Sequence, residues 1–227
     1  MQSATGFGFS LVAAPLVFAT VGPEEAVGLL LVLGTEVNVL TLTTERRRPR
    51  PVRRECAVVL GCALPGAFAG VAALRALDPV ALQIAVTIGV IATLAARRVA
   101  AGRRTPGWAA PIAGVAAGGL STSTTTAGPP LLVYLLGREL EPVQMRDTLT
   151  VCFIGLTVVS AIALAGTGTS DAVPDPLLLA ILVPVVAVGH IAGRPLFAAL
   201  ARSRRYEGVV TALLLISVAA GLATAVF

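Results

Sequence analysis

The sequence predicts an all-α polytopic membrane protein with about eight transmembrane helices in two four-helix repeats, a broken helix opening each. Three observations lead there: an apolar composition, apolar runs of spanning length, and a rhyme between the two halves of the chain. Of 227 residues, 56% are hydrophobic and 13% charged, with 23 glycines besides. A soluble domain carries about a quarter charged residues. This chain has too few polar side chains to cover a globule of its size, and a bilayer removes that requirement.

Eight segments follow in order. Residues 4–20 are glycine-rich and interrupted by Pro15. Met1 enters this segment with no charged flank, so it reads as the second half of a span and not as a secretory signal. Residues 26–44, 56–74 and 80–96 are plain apolar runs. Trp108–Gly137 is too long for one straight span and holds the stretch STSTTTAGPP. Thr148–Gly166, Pro176–Pro195 and Gly208 to the end complete the set. Each approaches the ~20 residues that cross the hydrocarbon at about 1.5 Å per residue.

The basic residues are arginines and one histidine, giving a net charge of +5. They cluster as RRRPRPVRR (46–54) and as Arg97, Arg98, Arg103 and Arg104. Eight crossings put both clusters, including the loop 45–55, on one side with both termini. The positive-inside rule makes that side the cytoplasmic face of the cell (inner) membrane. Arg202, Arg204 and Arg205 then fall on the opposite side and count against the assignment. No aromatic residues interleave the main clusters, so a nucleic-acid partner is not expected. Cys56, Cys62 and Cys152 form no CxxC or Cys/His cluster, so neither a metal site nor a disulfide framework is expected. No cofactor is implied, and whether the chain forms a homo-oligomer is open.

The halves, 1–104 and 105–227, rhyme. SATGFGFSLVAAPLVFATVGPEEAV matches STSTTTAGPPLLVYLLGRELEPVQM, with Gly22 answering Gly137. PGAFAGVAALRAL matches VGHIAGRPLFAAL, with Gly66 and Gly70 answering Gly189 and Gly193. Four spans per repeat insert in the same orientation, which predicts a pseudo-two-fold axis along the membrane normal.

At these residues the chain resembles the sulfite exporter TauE/SafE-like permeases. QSATGFGFSLVAAPL, GGLSTSTTTAGPPLLVYLL, the Gly-x-x-x-Gly pairs and the Arg-rich second loop carry the resemblance, which covers essentially the whole chain. It implies a small-anion permease for sulfite, a sulfonate or a related organosulfur compound, working by alternating access. The chain departs from the family pattern in its short first span and in a midpoint motif rich in Thr where glycine is common.

The physical reading of the motif is independent of that resemblance. Irregular backbone at membrane depth survives only inside protein or along a polar cavity. Pro129 and Pro130 lose nothing in the first turn of a half-helix. The amides from Thr126 to Gly128 then lie at that helix's positive end, which favours anions. Ser121, Thr122, Thr124, Thr125 and Thr126 are candidate donors. Ser3 and Thr5, with Gly6 and Gly8 for close approach, form the expected facing wall. The competing reading is that such hydroxyls bond their own i−4 carbonyls or glue neighbouring helices.

Glu36 sits mid-span, where a charge costs at least about 2.5–3.5 kcal/mol. It reads either as a proton-coupling group or as a neutral interhelical hydrogen-bonding residue. His190 is the second coupling candidate and reads equally as a packed partner. Two rival classes remain: an intramembrane serine protease using Ser121 and His190, which must then meet in space, and a non-transporting membrane scaffold.

Overall fold

The computed structural model describes residues 9–44, 48–99, 104–138, 140–169 and 172–201. Within them lie eight helices: α1 (Phe9–Thr20), α2 (Pro23–Thr43), α3 (Arg53–Ala76), α4 (Pro79–Val99), α5 (Ala109–Thr124), α6 (Gly128–Leu136), α7 (Pro142–Gly166) and α8 (Pro176–Ala201). The described residues contain no strand. The segment from Gly208 onward lies outside the described residues. Four helices, α2, α3, α7 and α8, are long and apolar enough to cross a bilayer.

Proline punctuates the starts. Pro23, Pro79, Pro142 and Pro176 open α2, α4, α7 and α8, where a missing N–H costs nothing. Asp78 Oδ1 accepts from the Ala81 amide (2.8 Å) and Asp175 Oδ1 from the Leu177 amide (2.8 Å), capping α4 and α8.

Hydrogen bonds between loops define the two ends of the bundle. At one end the Arg50 amide donates to Asp147 Oδ2 (2.8 Å) and the Val52 amide to Thr148 Oγ1 (3.0 Å). The Arg138 guanidinium donates to Glu55 Oε1 (2.8 Å), and the Thr105 amide donates to the Gly137 carbonyl (2.9 Å). The entrance to α3, the entrance to α5, the exit of α6 and the entrance to α7 therefore share this Arg-rich end. At the other end Arg75 donates to the Thr167 carbonyl (2.9 Å), and the Asp175 amide meets Glu25 Oε1 (3.4 Å).

This corrects the reading of Trp108–Gly137 as a crossing. The segment is a re-entrant hairpin: α5 goes in for 16 residues, α6 returns for 9, and both open ends meet at Thr105–Gly137. The repeat orientation changes with it. Three traverses, α2, α3 and α4, separate the start of α2 from the hairpin, and the hairpin adds none. The start of α2 near Asp175 and the start of α7 near Arg50 therefore lie at opposite ends. The helices paired by the rhyme, α2 with α7 and α3 with α8, run in opposite directions. Parallel repeats would need them to run together; the matched helices are instead inverted relative to each other, which the expected axis along the membrane normal does not fit. Because α8 starts at the far end, its 26 residues head toward the Arg-rich end. Arg202, Arg204 and Arg205 follow it and lie outside the described residues.

The most extensive helix pair is α3 with α5, and glycine makes it. A Cβ on Gly66 would overlap the Val115 carbonyl, and one on Gly70 would overlap Gly119 O and Thr122 Oγ1. From the other side, a Cβ on Gly114 would overlap Val59 O, and one on Gly118 would overlap Ala63 O. Both stretches are Gly-x-x-x-Gly, so the backbones touch along facing small-residue stripes. Gly189 and Gly193, matched to Gly66 and Gly70 by sequence, have no atom within 4 Å of an added Cβ. Among the described residues the rhyme there has no matching helix contact.

Outward faces are apolar. Ile88, Ile112, Val158, Ile162, Ile181 and Ile191 are all exposed, and none of Pro176–Gly193 in α8 is buried. A water-facing surface of this kind would be an aggregation liability, whereas lipid covers it at no cost.

Replacing Gly66 or Gly118 with Ala forces backbone apart and is expected to cost about 2–3 kcal/mol of stability. Gly61, with open space around its Cα, should accept Ala with a gain of about 0.5–1 kcal/mol from helix propensity. Thermal unfolding of the three variants in one detergent checks both.

Candidate functional site

The break between α5 and α6 lies at mid-depth. Thr126 packs against Gly89 of α4, whose added Cβ would sit 2.7 Å from Thr126 Oγ1. Gly89 is the central residue of the 21 in α4. Residues Ser121 to Gly128 are all buried.

The chain turns here through Thr125, the one non-glycine residue with positive φ (55°) among the described residues. A β-branched residue is costly in that conformation, at about 1–3 kcal/mol. The turn lets the Thr126 amide reach back to the Leu120 carbonyl (3.1 Å), which also accepts the Thr125 amide, so both amides are satisfied at the end of α5. Helix α6 then opens on Gly128, Pro129 and Pro130. The two prolines bring no N–H, so Ala127 and Gly128 supply the backbone donors at its positive end.

The hydroxyls are engaged within the protein. Thr122 Oγ1 donates to Ala67 O across the α3 interface (2.9 Å) and lies 3.0 Å from Gly118 O. Ser123 and Thr124 bond back to Gly119 O (2.8 Å) and Leu120 O (3.1 Å). Thr124 and Thr126 pair at 2.6 Å, and Thr125 donates to Thr124 O (2.7 Å). Ser121 Oγ accepts from Ser160 Oγ of α7 (2.9 Å). Back-bonding and interhelical glue thus describe these contacts in the present state.

Of the facing wall, Ser3, Thr5, Gly6 and Gly8 lie outside the described residues. Phe9 and Ser10, which follow directly, sit beside Gly34 at 3.9 and 3.6 Å from its added Cβ. Gly34 is one residue past the midpoint of α2. Both α1 and α6 pack against α4, so α4 is the common partner of the two short helices.

Glu36 is two residues beyond Gly34 on α2. Its Oε2 is buried and receives no hydrogen bond. The neighbouring Thr35 hydroxyl donates to Thr157 of α7 (2.9 Å). His190 lies on α8, which packs on α2. Ser121 meets Ser160 and not His190, so the geometry a serine protease needs is not formed.

Sequence reasoning missed two sets of residues. Ser160 and Thr157 present hydroxyls from α7, which ordinary Ser/Thr frequency in an apolar run does not flag. Glu55, Tyr134 and Arg138 form a buried cluster at the Arg-rich end: Glu55 accepts from both the Tyr134 phenol and Arg138. The signal available was a carboxylate placed directly after Arg53 and Arg54, and it reads most simply as loop charge. Cys56 donates to Thr148 O (3.9 Å), and all three cysteines are free.

No curated protein and no solved structure matches the chain. The model of one family, described as sulfite exporter TauE/SafE, matches residues 1–221. With nearly the whole chain covered, spanning helices in place and a proline-opened break at their mid-depth, this is a membrane protein of the sulfite exporter TauE/SafE family.

Proposed function

We propose that the chain moves a small sulfur oxyanion, sulfite or a sulfonate, across the cell membrane by alternating access around the α5–α6 break. The family membership supports an anion of this class. The observation that carries the site is the buried start of α6 at mid-depth, where Ala127 and Gly128 offer amides at a helix's positive end. Ser121, Thr122, Thr124, Thr125 and Thr126 surround that point. Binding exchanges their internal hydrogen bonds for bonds to the anion, so the net gain per hydroxyl is small and selectivity comes from shape and number. Ser3, Thr5, Gly6 and Gly8 are the proposed second wall, reached through the Phe9–Gly34 contact.

Glu36 is the proposed proton-coupling group, with His190 as the alternative. A buried carboxylate oxygen that receives no hydrogen bond is expensive when charged, and a proton removes that expense. The Arg-rich loops place their face in the cytoplasm by the positive-inside rule. The two termini, expected on that same face, lie outside the described residues.

Counterflow in proteoliposomes, with sulfite, sulfate, thiosulfate and small sulfonates as competitors, tests the function. Combined replacement of Ser121, Thr124 and Thr126 by Ala is expected to abolish exchange while the protein still inserts. Undiminished exchange would remove the site from the break.

Glu36→Gln keeps the shape of the neutral acid but cannot titrate. Exchange of substrate for substrate should survive, because it moves no net proton. Accumulation driven by a pH gradient should be lost. If gradient-driven uptake persists, Glu36 is not the coupling group and His190 takes its place.

A further inference from the structure

The geometry points to α6 as a movable arm, held shut at the Arg-rich face by a latch of Glu55 with Tyr134 and Arg138. This rests on the break being the anion site. The two arms of the hairpin are held very differently. Backbone contact fixes α5 to α3 through Gly66, Gly70, Gly114 and Gly118, with Thr122 bonded to Ala67 O. No comparable glycine stripe exists on α6, whose nine residues read GPPLLVYLL. The left-handed turn at Thr125 separates the arms and is the natural pivot.

At its far end α6 is tied to α3 by one carboxylate. Glu55, in the first turn of α3, receives the Tyr134 hydroxyl on one oxygen and the Arg138 guanidinium on the other (2.8 Å). Tyr134 and Arg138 are four residues apart, and the guanidinium lies 5.9 Å from the Tyr134 ring centroid. Glu55 and Tyr134 are buried, while the Arg138 side chain is 31% exposed. The latch therefore faces the aqueous end, and Leu131 and Leu135 beneath it are buried between it and the break.

The start of α7 is fastened to the same loop by other groups, Arg50 with Asp147 and Val52 with Thr148. Breaking the Glu55 contacts unties α6 from the start of α3 without releasing α7, and leaves the bonds from Thr105 to the Gly137 and Val133 carbonyls (2.9 and 3.5 Å) as the ties at that end of the arm. Apolar packing is non-directional and gives way gradually, whereas a paired carboxylate is made or broken. Such a contact suits an arm with two discrete positions.

The test places a single reporter, Leu131→Cys, in a chain with Cys56, Cys62 and Cys152 replaced by Ala. A membrane-impermeant maleimide is applied from each face in turn. Glu55→Gln, Tyr134→Phe and Arg138→Gln should each raise the labelling rate from the Arg-rich face about tenfold, the scale on which minor states are populated. Labelling from the other face should stay as it was. The Glu55→Gln/Arg138→Gln double variant should match the singles, because one contact is being removed twice. Unchanged labelling, or an equal rise from both faces, overturns the latch. If Glu55→Gln fails to accumulate, Arg138→Gln carries the test from its partly exposed position. Labelling reads the arm directly, so a native chain that exchanges no anion would sink the transport reading and leave this result standing.

Discussion

The backbone contact between α3 and α5 is the constraint on which the rest of the molecule depends. Gly66 and Gly70 of α3 meet the backbone of Val115 and Gly119, and Gly114 and Gly118 of α5 meet that of Val59 and Ala63, so closely that no Cβ fits at any of the four. In lipid there is no hydrophobic drive to press helices together, so close approach and interhelical hydrogen bonds supply the association. Here the approach fixes how deep α5 enters, and therefore where it stops. Thr122 is locked to Ala67 O, and the chain can turn only beyond it. The break lands beside the central residue of α4 because α3 holds α5 at that height.

A re-entrant hairpin follows from that stop. Backbone left unpaired in hydrocarbon costs several kcal/mol per group, and the break meets this cost locally. Thr125 takes a left-handed conformation that its side chain disfavours, in return for a partner for the Thr126 amide at the Leu120 carbonyl. Five hydroxyls bond to nearby carbonyls or to one another, Ser121 pairs with Ser160 of α7, and two prolines remove donors that would otherwise be orphaned. What is left pointing past the end of α6 is a short positive helix terminus. Strain and polar chemistry therefore gather at one buried point.

Much of this was legible in the sequence. The spanning helices α2, α3, α7 and α8 overlie the apolar runs read from the sequence, because length and composition alone determine whether a run can cross. The break was legible because hydroxyls and a Pro-Pro pair are out of place in an apolar stretch. The direction of α6 was not. A run of Leu, Val and Tyr after a proline reads the same whether it continues across or turns back. Only the Thr105–Gly137 contact and the bonds to Glu55 reveal the return, since they join residues 32 and more positions apart. With that return the rhyming helices run in opposite directions, although the rhyming residues stay the same. The partner of Gly66 and Gly70 was likewise hidden. It is the stretch Val115–Thr122 of α5, whereas the rhyme directed attention to Gly189 and Gly193.

The account stands on the hairpin entering and leaving on one face. Single cysteines at Gly107, before α5, and at Glu141, after α6, test it most directly, with Val173→Cys marking the far end. All three positions are exposed, so a membrane-impermeant maleimide can reach each of them from its own side. The account predicts that Gly107→Cys and Glu141→Cys are modified from the same face and Val173→Cys from the other. Modification of Gly107→Cys and Glu141→Cys from opposite faces would make α5 and α6 a single crossing, and the hairpin and the inverted arrangement would both be wrong.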